Sequence, residues 1–241
     1  MFDDYHNKYN GKRCFIIGSG PSLIRENLSL IKNEKIFIVN KAYKALEHGL
    51  SHYDFYVCTD KRVYEENSSE IQKNTKFPRF YSQSFMDSKY YWDGEREKFI
   101  PIFKHENKSS ILYKSLILNI MPTNYFDGWG KASSVVLDCA LIAFFLGFKE
   151  IYILGTDLSY EDNSKTHFYG LEKRRYSEEI KSAIFVSNSL KIIIQNLNNF
   201  FNLNSVKMIN LSKGYNHQDM FNTGSLEDLF LKNLTNNRNG L

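Results

Sequence analysis

Proline and cysteine are scarce in this chain, with 4 prolines and 3 cysteines among 241 residues. So few prolines rule out a polyproline or collagen-like chain. Cys14, Cys58 and Cys139 show no C-x-x-C spacing and sit in apolar surroundings, so they read as buried thiols rather than disulfides or zinc ligands. Long apolar runs are missing too: none approaches the roughly 20 residues that span a bilayer. The opening Met1-Phe-Asp-Asp-Tyr-His lacks the basic-then-apolar layout of a secretory signal. The expectation is a cytoplasmic protein, with peripheral work at the inner membrane face left open. Charge of one sign is not concentrated either. Lys and Arg number 31 against 27 acidic residues, a net +4 spread along the chain. That is not the basic stripe of a nucleic-acid binder. The densest cluster, Lys173-Arg174-Arg175, reads as a solvated face or as a contact to an anionic substrate or lipid.

What the chain has is aromatic and aliphatic bulk, 19 Phe and 16 Tyr within 42% hydrophobic residues, enough for a real core. Its organising stretch is Lys12 to Leu23. Cys14-Phe-Ile-Ile17 is a short apolar run fit for a buried strand, broken by Gly18-Ser19-Gly20 and restarted at Pro21-Ser22-Leu23. Glycines permit a tight turn or close approach of a ligand, and Pro21 suits a first helical turn. Strand, glycine turn and helix start together can cradle an anion. Leu23 stands where the dinucleotide fingerprint needs a third glycine, so the turn is either a phosphate or nucleotide loop of another kind or a plain tight turn.

Lys35–Asn40 and Tyr53–Cys58 read as two more buried strands, with a helix predicted over Lys41–Leu50 on Ala42, Leu46 and Leu50. Such alternation predicts a Rossmann-like, mostly parallel sheet in one α/β domain. Ligands of such sheets lie beyond the carboxyl ends of the strands, where Gly18-Ser19-Gly20, Asn40 and Thr59-Asp60 fall. Asn40 and Asp60 are equally readable as turn formers. Residues 1–11 are expected to lead in without structure, and Leu23–Ile31 to be a short helix or loop. Residues 61–129 form an irregular insertion in this reading, with Phe77–Tyr81 and Phe99–Phe103 as short strands whose prolines place them at sheet edges or at strand starts.

Val135–Phe148 is the most apolar stretch and predicts a buried helix stopped by Gly147, with Ser133 or Ser134 as N-cap or as a second anion contact. Lys149–Gly155 is a further strand, closed by Thr156 and Asp157. The polar loop Glu161–Lys173, within a candidate lid over 158–178, then holds His167 before a long helix striped by Ile180, Ile184, Leu190, Ile194 and Leu197. Val206–Leu211 reads as the last strand, Ser225–Asp228 as a capped start to a final short helix, and the polar end of the chain as frayed. His167 is the histidine placed for chemistry, with a pKa range suited to a general base, although an exposed loop histidine has the same signature. His6, His48, His52, His105 and His217 read as surface or turn residues.

The ordered set Gly18-Ser-Gly-Pro-Ser-Leu23, Asn40, Ala132-Ser133-Ser134, Gly147–Asp157 and Thr166-His-Phe-Tyr-Gly170 resembles the bacterial CMP-sialic acid-dependent sialyltransferases of lipooligosaccharide synthesis. It is similar also to their wider superfamily, with the Maf-type glycosyltransferases and the MptE-like pterin diphosphokinases. The resemblance covers roughly residues 12–60 and 130–215 and implies a GT-A-like variant of the Rossmann sheet. It implies an inverting transfer of a sialic acid-like sugar from a CMP-activated donor to a glycan or glycolipid hydroxyl. Gly18, Ser19, Gly20, Pro21 and Ser22 would hug phosphate and ribose; Asn40 and Asp60 would reach sugar hydroxyls; Ser133 and Ser134 would meet the donor's carboxylate or phosphate. Thr156 and Asp157 close the same rim. Tyr160 would donate to the leaving phosphate, with Tyr169 or Tyr176 as its second tyrosine, and His167 would take the acceptor proton.

The resemblance further implies a homo-oligomer and no cofactor beyond the donor substrate. It also implies no metal, and the chain has no Asp-x-Asp to hold one. The chain departs from the pattern in carrying Ser19 where the family often has Asn, and Asp60 where an amide is usual. The rival readings are an ATP- and Mg-dependent diphosphokinase of the MptE-like kind and a non-catalytic nucleotide-binding subunit.

Overall fold

A computed structural model describes residues 5–76, 78–81, 99–101, 134–158, 167–170, 178–214 and 220–231. The first strand, β1 (Arg13–Ile17), is followed by β2 (Lys35–Val39), β3 (Phe55–Cys58), helix α1 (Lys61–Asn74), β4 (Arg79–Tyr81) and β5 (Phe99–Pro101). Then come α2 (Val135–Phe145), β6 (Glu150–Leu154), α3 (Glu178–Leu203), β7 (Lys207–Asn210) and β8 (Asn222–Thr223). The strands form one sheet in the order β5-β4-β3-β2-β1-β6-β7-β8, and every pairing is parallel. The chain walks outward from β1 to β5, returns to lay β6 against the other side of β1, and continues outward. The topological switch point therefore lies between β1 and β6, where open α/β sheets place their ligands.

The strands are apolar on both faces because both faces are covered. Side chains alternate across the sheet. Cys14, Ile16, Phe37, Val39 and Ile153 pack against α2 and α3, whereas Phe15, Ile17, Ile36, Ile38 and Leu154 pack on the opposite side with Leu23, Ile31 and Tyr43. All three cysteines are buried and free, as expected of core thiols. Phe99–Pro101 is the outer strand on its side of the sheet among the described residues, whereas Arg79–Tyr81 is paired on both sides, with β3 and β5, so Pro78 marks the start of a strand and not an edge.

Four local expectations change. Residues 5–11 dock on the end of α2 instead of trailing free: Asn7 N–H donates to Phe145 O (3.1 Å), Tyr9 N–H to Leu146 O (2.8 Å) and Gly11 N–H to Gly147 O (3.2 Å). These donors satisfy carbonyls that a helix end leaves open, and the Tyr9 ring stacks on Phe148 at 4.9 Å. The segment after β2 is a 3-10 helix, Ala42–His48, not an α-helix. Its three-residue turn brings Ala42 and Ala45 inward and leaves Leu46 41% exposed. The start of the expected irregular insertion is regular, because 61–74 is the helix α1. A two-residue strand, β8, follows β7, so Val206–Leu211 is not the last strand.

The predicted glycine stop is present: Gly147 has φ +95°, and a Cβ there would come within 2.9 Å of Asn7 Cα and 3.0 Å of Asn10 Cα. Gly147→Ala is expected to destabilise the fold by about 1–3 kcal/mol, read as a lowered urea midpoint with an unchanged m-value.

Candidate active site

The carboxyl ends of β1 and β6 touch backbone to backbone. Gly18 N–H donates to Leu154 O (2.8 Å) and Gly20 N–H to Gly155 O (2.7 Å). A side chain at Gly18 would overlap Gly155 O, and one at Gly20 would overlap the Asp157 carboxylate. The glycines are thus required by the crossing of two turns. Asp157 completes the crossing: its Oδ2 accepts from Ser22 N–H at 3.1 Å, at the start of the 3-10 segment Pro21–Arg25. The N–H that a phosphate would seek there is already satisfied by a carboxylate. Two like charges about 4 Å apart repel by roughly 4 kcal/mol at an effective dielectric of about 20. The β6 end is tied to β7 as well. Thr156 N–H donates to Ser212 Oγ (2.9 Å), and the Asn210 side chain donates to Thr156 O (3.0 Å) while accepting from Ser212 N–H (3.0 Å).

His167 comes to this rim. Its Nδ1 lies 3.1 Å from Ser19 Oγ, in hydrogen-bonding contact, and Phe168 N–H donates to Ser19 O at 3.0 Å. His167 and Gly170 close a small antiparallel bridge that holds the loop in shape. The imidazole stacks on Tyr169 with ring centres 5.0 Å apart and planes at 14°. His48 packs its ring edge-on against Phe168 at 5.4 Å, so a histidine read as a surface residue helps seat the loop. Lys41 and Lys44 place their ammonium groups 5.4 and 5.0 Å from the Tyr169 ring centre. Lys44 also pairs with Glu70 at 3.3 Å.

The other residues expected at the site divide by what their polar atoms do. Asn40 follows β2 with φ +49°, and its Oδ1 is buried with no hydrogen-bond partner among the described residues. The same holds for Ser22 Oγ and Thr156 Oγ1. Three buried oxygens without a partner among the described residues thus stand at or just beyond the ends of β1, β2 and β6, where a ligand's hydroxyls or amino groups can satisfy them. Asp60 is used differently: its Oδ1 accepts from Arg62 N–H (2.9 Å) and Val63 N–H (3.4 Å), capping α1. Ser134 is the N-cap of α2 by position, but its side chain makes no capping bond. Pro21 opens its 3-10 turn as expected. Ser133, Tyr160, Tyr176 and Lys173-Arg174-Arg175 lie outside the described residues.

Sequence reasoning missed three features here. The lysines at 41 and 44 carry no periodic signal beyond an ordinary exposed helix face. Thr59, beside Asp60, donates from Oγ1 to the buried Asp138 Oδ2 at 2.6 Å, joining the β3 end to the first turn of α2. Glu26, after the glycine turn, is 8% exposed and accepts from Lys213 N–H at 2.7 Å; burial raises its carboxyl pKa above the ordinary value, against the lowering effect of that bond.

The family model described as 6-hydroxymethylpterin diphosphokinase MptE-like matches residues 1–163. The chain belongs to the MptE-like family. That span holds the glycine turn, Asn40, Ser134 and Asp157 and ends just before His167. Among solved structures, the sialyltransferase CstII from Campylobacter jejuni in complex with cytidine-5'-monophosphate is similar at a TM-score of 0.54 and 14% identity. The match covers 89% of this chain and 85% of that one. The same enzyme in complex with CMP-3FNeuAc is similar at 0.50 and 12% identity, over 88% and 86%. At these identities the likeness shows a shared fold, the Rossmann-like sheet expected from the strand pattern. No curated protein matches the sequence.

If the glycine turn is shaped by Asp157, the two positions are energetically coupled. Gly20→Ala is expected to cost about 1–3 kcal/mol in the native background and distinctly less in an Asp157→Ala background. Urea unfolding of the single and double variants measures the difference.

Proposed function

We propose that this protein is an inverting glycosyltransferase that takes a sialic acid-like sugar from a CMP-activated donor, with His167 as general base. The observation that carries the reading is the contact between His167 Nδ1 and Ser19 Oγ, which joins a loop histidine to the carboxyl end of β1. The described CstII complexes, with CMP and a CMP-sugar analogue on the same fold, support the choice of donor.

In this reading the Gly18–Ser22 turn frames the ribose. Asn40 Oδ1 and Thr156 Oγ1 accept from donor hydroxyls, and Ser134, with Ser133 beside it, faces the donor's anionic end. Nδ1 donates its proton to Ser19 Oγ, which leaves the Nε2 lone pair to remove the acceptor hydroxyl's proton. The acceptor oxygen forms a bond to the anomeric carbon as the carbon–oxygen bond to phosphate breaks. CMP departs with the electron pair, with Tyr160 and Tyr169 hydroxyls as donors to it. Side chains, rather than a bound metal, meet the developing charge, and the donor is the only nucleotide needed. The acceptor is a glycan or glycolipid of surface polysaccharide, met at the cytoplasmic side of the membrane, with the protein acting as a homo-oligomer.

Family membership favours a second reading, transfer of a diphosphate from ATP with Mg²⁺ to a small alcohol. A thermal-shift titration separates the two. CMP is expected to raise the melting temperature; at 100 times its dissociation constant it contributes about 2.7 kcal/mol. ATP with Mg²⁺ is expected to have little effect. A shift with ATP and Mg²⁺ alone would favour the diphosphokinase. With a CMP-sugar donor, His167→Ala is expected to lower turnover about 10²–10⁴-fold and to remove the acid limb of the pH–rate profile. Near-native turnover would overturn the role of the histidine.

A further inference from the structure

We propose that Ser212, braced by Asn210 at the end of β7, is a positioning residue that holds Thr156 so that its hydroxyl selects a ribose-bearing ligand over the deoxy form. The inference rests on the nucleotide-dependent reading above and names a source of specificity within it. Both residues lie beyond the 1–163 span of the family model.

β7 is apolar where it enters the core, with Met208 buried, yet its end carries two buried polar side chains beside Leu211. Asn210 is 1% exposed and Ser212 5%. A buried amide or hydroxyl is costly unless it is bonded. Both are bonded to the turn that follows β6. Thr156 N–H donates to Ser212 Oγ at 2.9 Å, and Asn210 Nδ2 donates to Thr156 O at 3.0 Å. Ser212 N–H in turn orients the Asn210 amide by donating to its Oδ1 at 3.0 Å. Thr156 is therefore held at its N–H and at its carbonyl. Its side chain branches at Cβ and has few rotamers, so fixing the peptide fixes the hydroxyl.

That hydroxyl stands at the β1–β6 switch point, where a Cβ on Gly18 would lie 2.8 Å from Oγ1. Oγ1 is buried with no hydrogen-bond partner among the described residues, although the two backbone polar atoms of the same residue are both bonded. Such an atom lowers the stability of the free protein, and a ligand hydroxyl removes the penalty. The nearby charge decides what kind of group fits. The Asp157 carboxylate lies against Gly20 and accepts from Ser22 N–H, so a hydroxyl is favoured there over a phosphate.

Calorimetric titration of the full chain with CMP, 2′-deoxy-CMP and 3′-deoxy-CMP tests this, alongside ATP and 2′-deoxy-ATP with Mg²⁺. The native protein is expected to bind CMP about 3–10-fold more tightly than one of its deoxy forms. Thr156→Val removes the unbonded hydroxyl and is expected to lose that preference while melting at or above the native temperature. Ser212→Ala is expected to lower the melting temperature and shrink the preference to within about twofold, and Ser212→Thr, which keeps the oxygen, to restore it. In Thr156→Val/Ser212→Ala the melting temperature is expected to fall with no further change in preference, a split that a merely structural serine does not produce. Should Ser212→Ala not fold, Ser212→Cys, a weaker acceptor, is expected to show a preference between those of the native protein and Thr156→Val. A native preference retained in the folded Ser212 variant, or no preference in a native protein that binds CMP, would overturn the inference and leave the CMP reading standing. If ATP with Mg²⁺ binds in place of CMP, and its preference over 2′-deoxy-ATP is lost in Thr156→Val and Ser212→Ala, the inference stands and the CMP-sugar reading falls. If no nucleotide binds the native protein, both fall.

Discussion

The structure depends on one close crossing, the contact of the β1–Pro21 turn with the turn that follows β6. Gly18 and Gly155 let two backbones meet at the switch point, with Gly18 O only 2.9 Å from where a Cβ of Gly155 would be. Everything at the rim inherits its position from that contact. Ser19 is raised between two fixed glycines, Asp157 is drawn over Ser22, and Thr156 is held between β6 and β7 by Ser212 and Asn210. A hydroxyl placed by such a crossing has few rotational options. His167, fastened to it by Nδ1 and by the Phe168 backbone, is correspondingly well placed.

The same crossing removes one role that a glycine turn often has. Backbone donors at a helix start usually serve anions, but here a carboxylate of the chain itself takes the first of them. The turn then suits neutral, hydroxyl-bearing parts of a ligand.

Much of the architecture was legible in the sequence because its signals are local. Cys14–Ile17, Ile36–Val39 and Ile151–Leu154 are continuous apolar runs, the mark of parallel strands covered on both faces. Gly147 announced the end of α2, Pro78 the start of β4, and Pro101 an outer strand. The convergence of Ser19 and His167 was also foreseeable, since both fall just past strand ends. What escaped depends on partners distant in sequence. Residues 5–11 look like a polar tail, and only the open carbonyls of α2 show why they dock. Ala42–His48 has the composition of an α-helix, and the tighter turn becomes evident only from Ala42, Tyr43 and Ala45 packing inward. The Asp60 side chain caps α1, an alternative that its strand-end position alone cannot distinguish from ligand binding. Asp157 gave no sign that it would fill the glycine turn, because that bond spans 135 positions of chain.

The central claim is that one ligand is held at the β1–β2–β6 rim, between the glycine turn and His167. A crystal of the full chain soaked with CMP tests it most directly. The account predicts CMP at that rim, its ribose near Asn40 and Thr156 and the His167 ring still against Ser19. CMP bound elsewhere on the sheet, or an imidazole turned away from Ser19 with CMP bound, would contradict it.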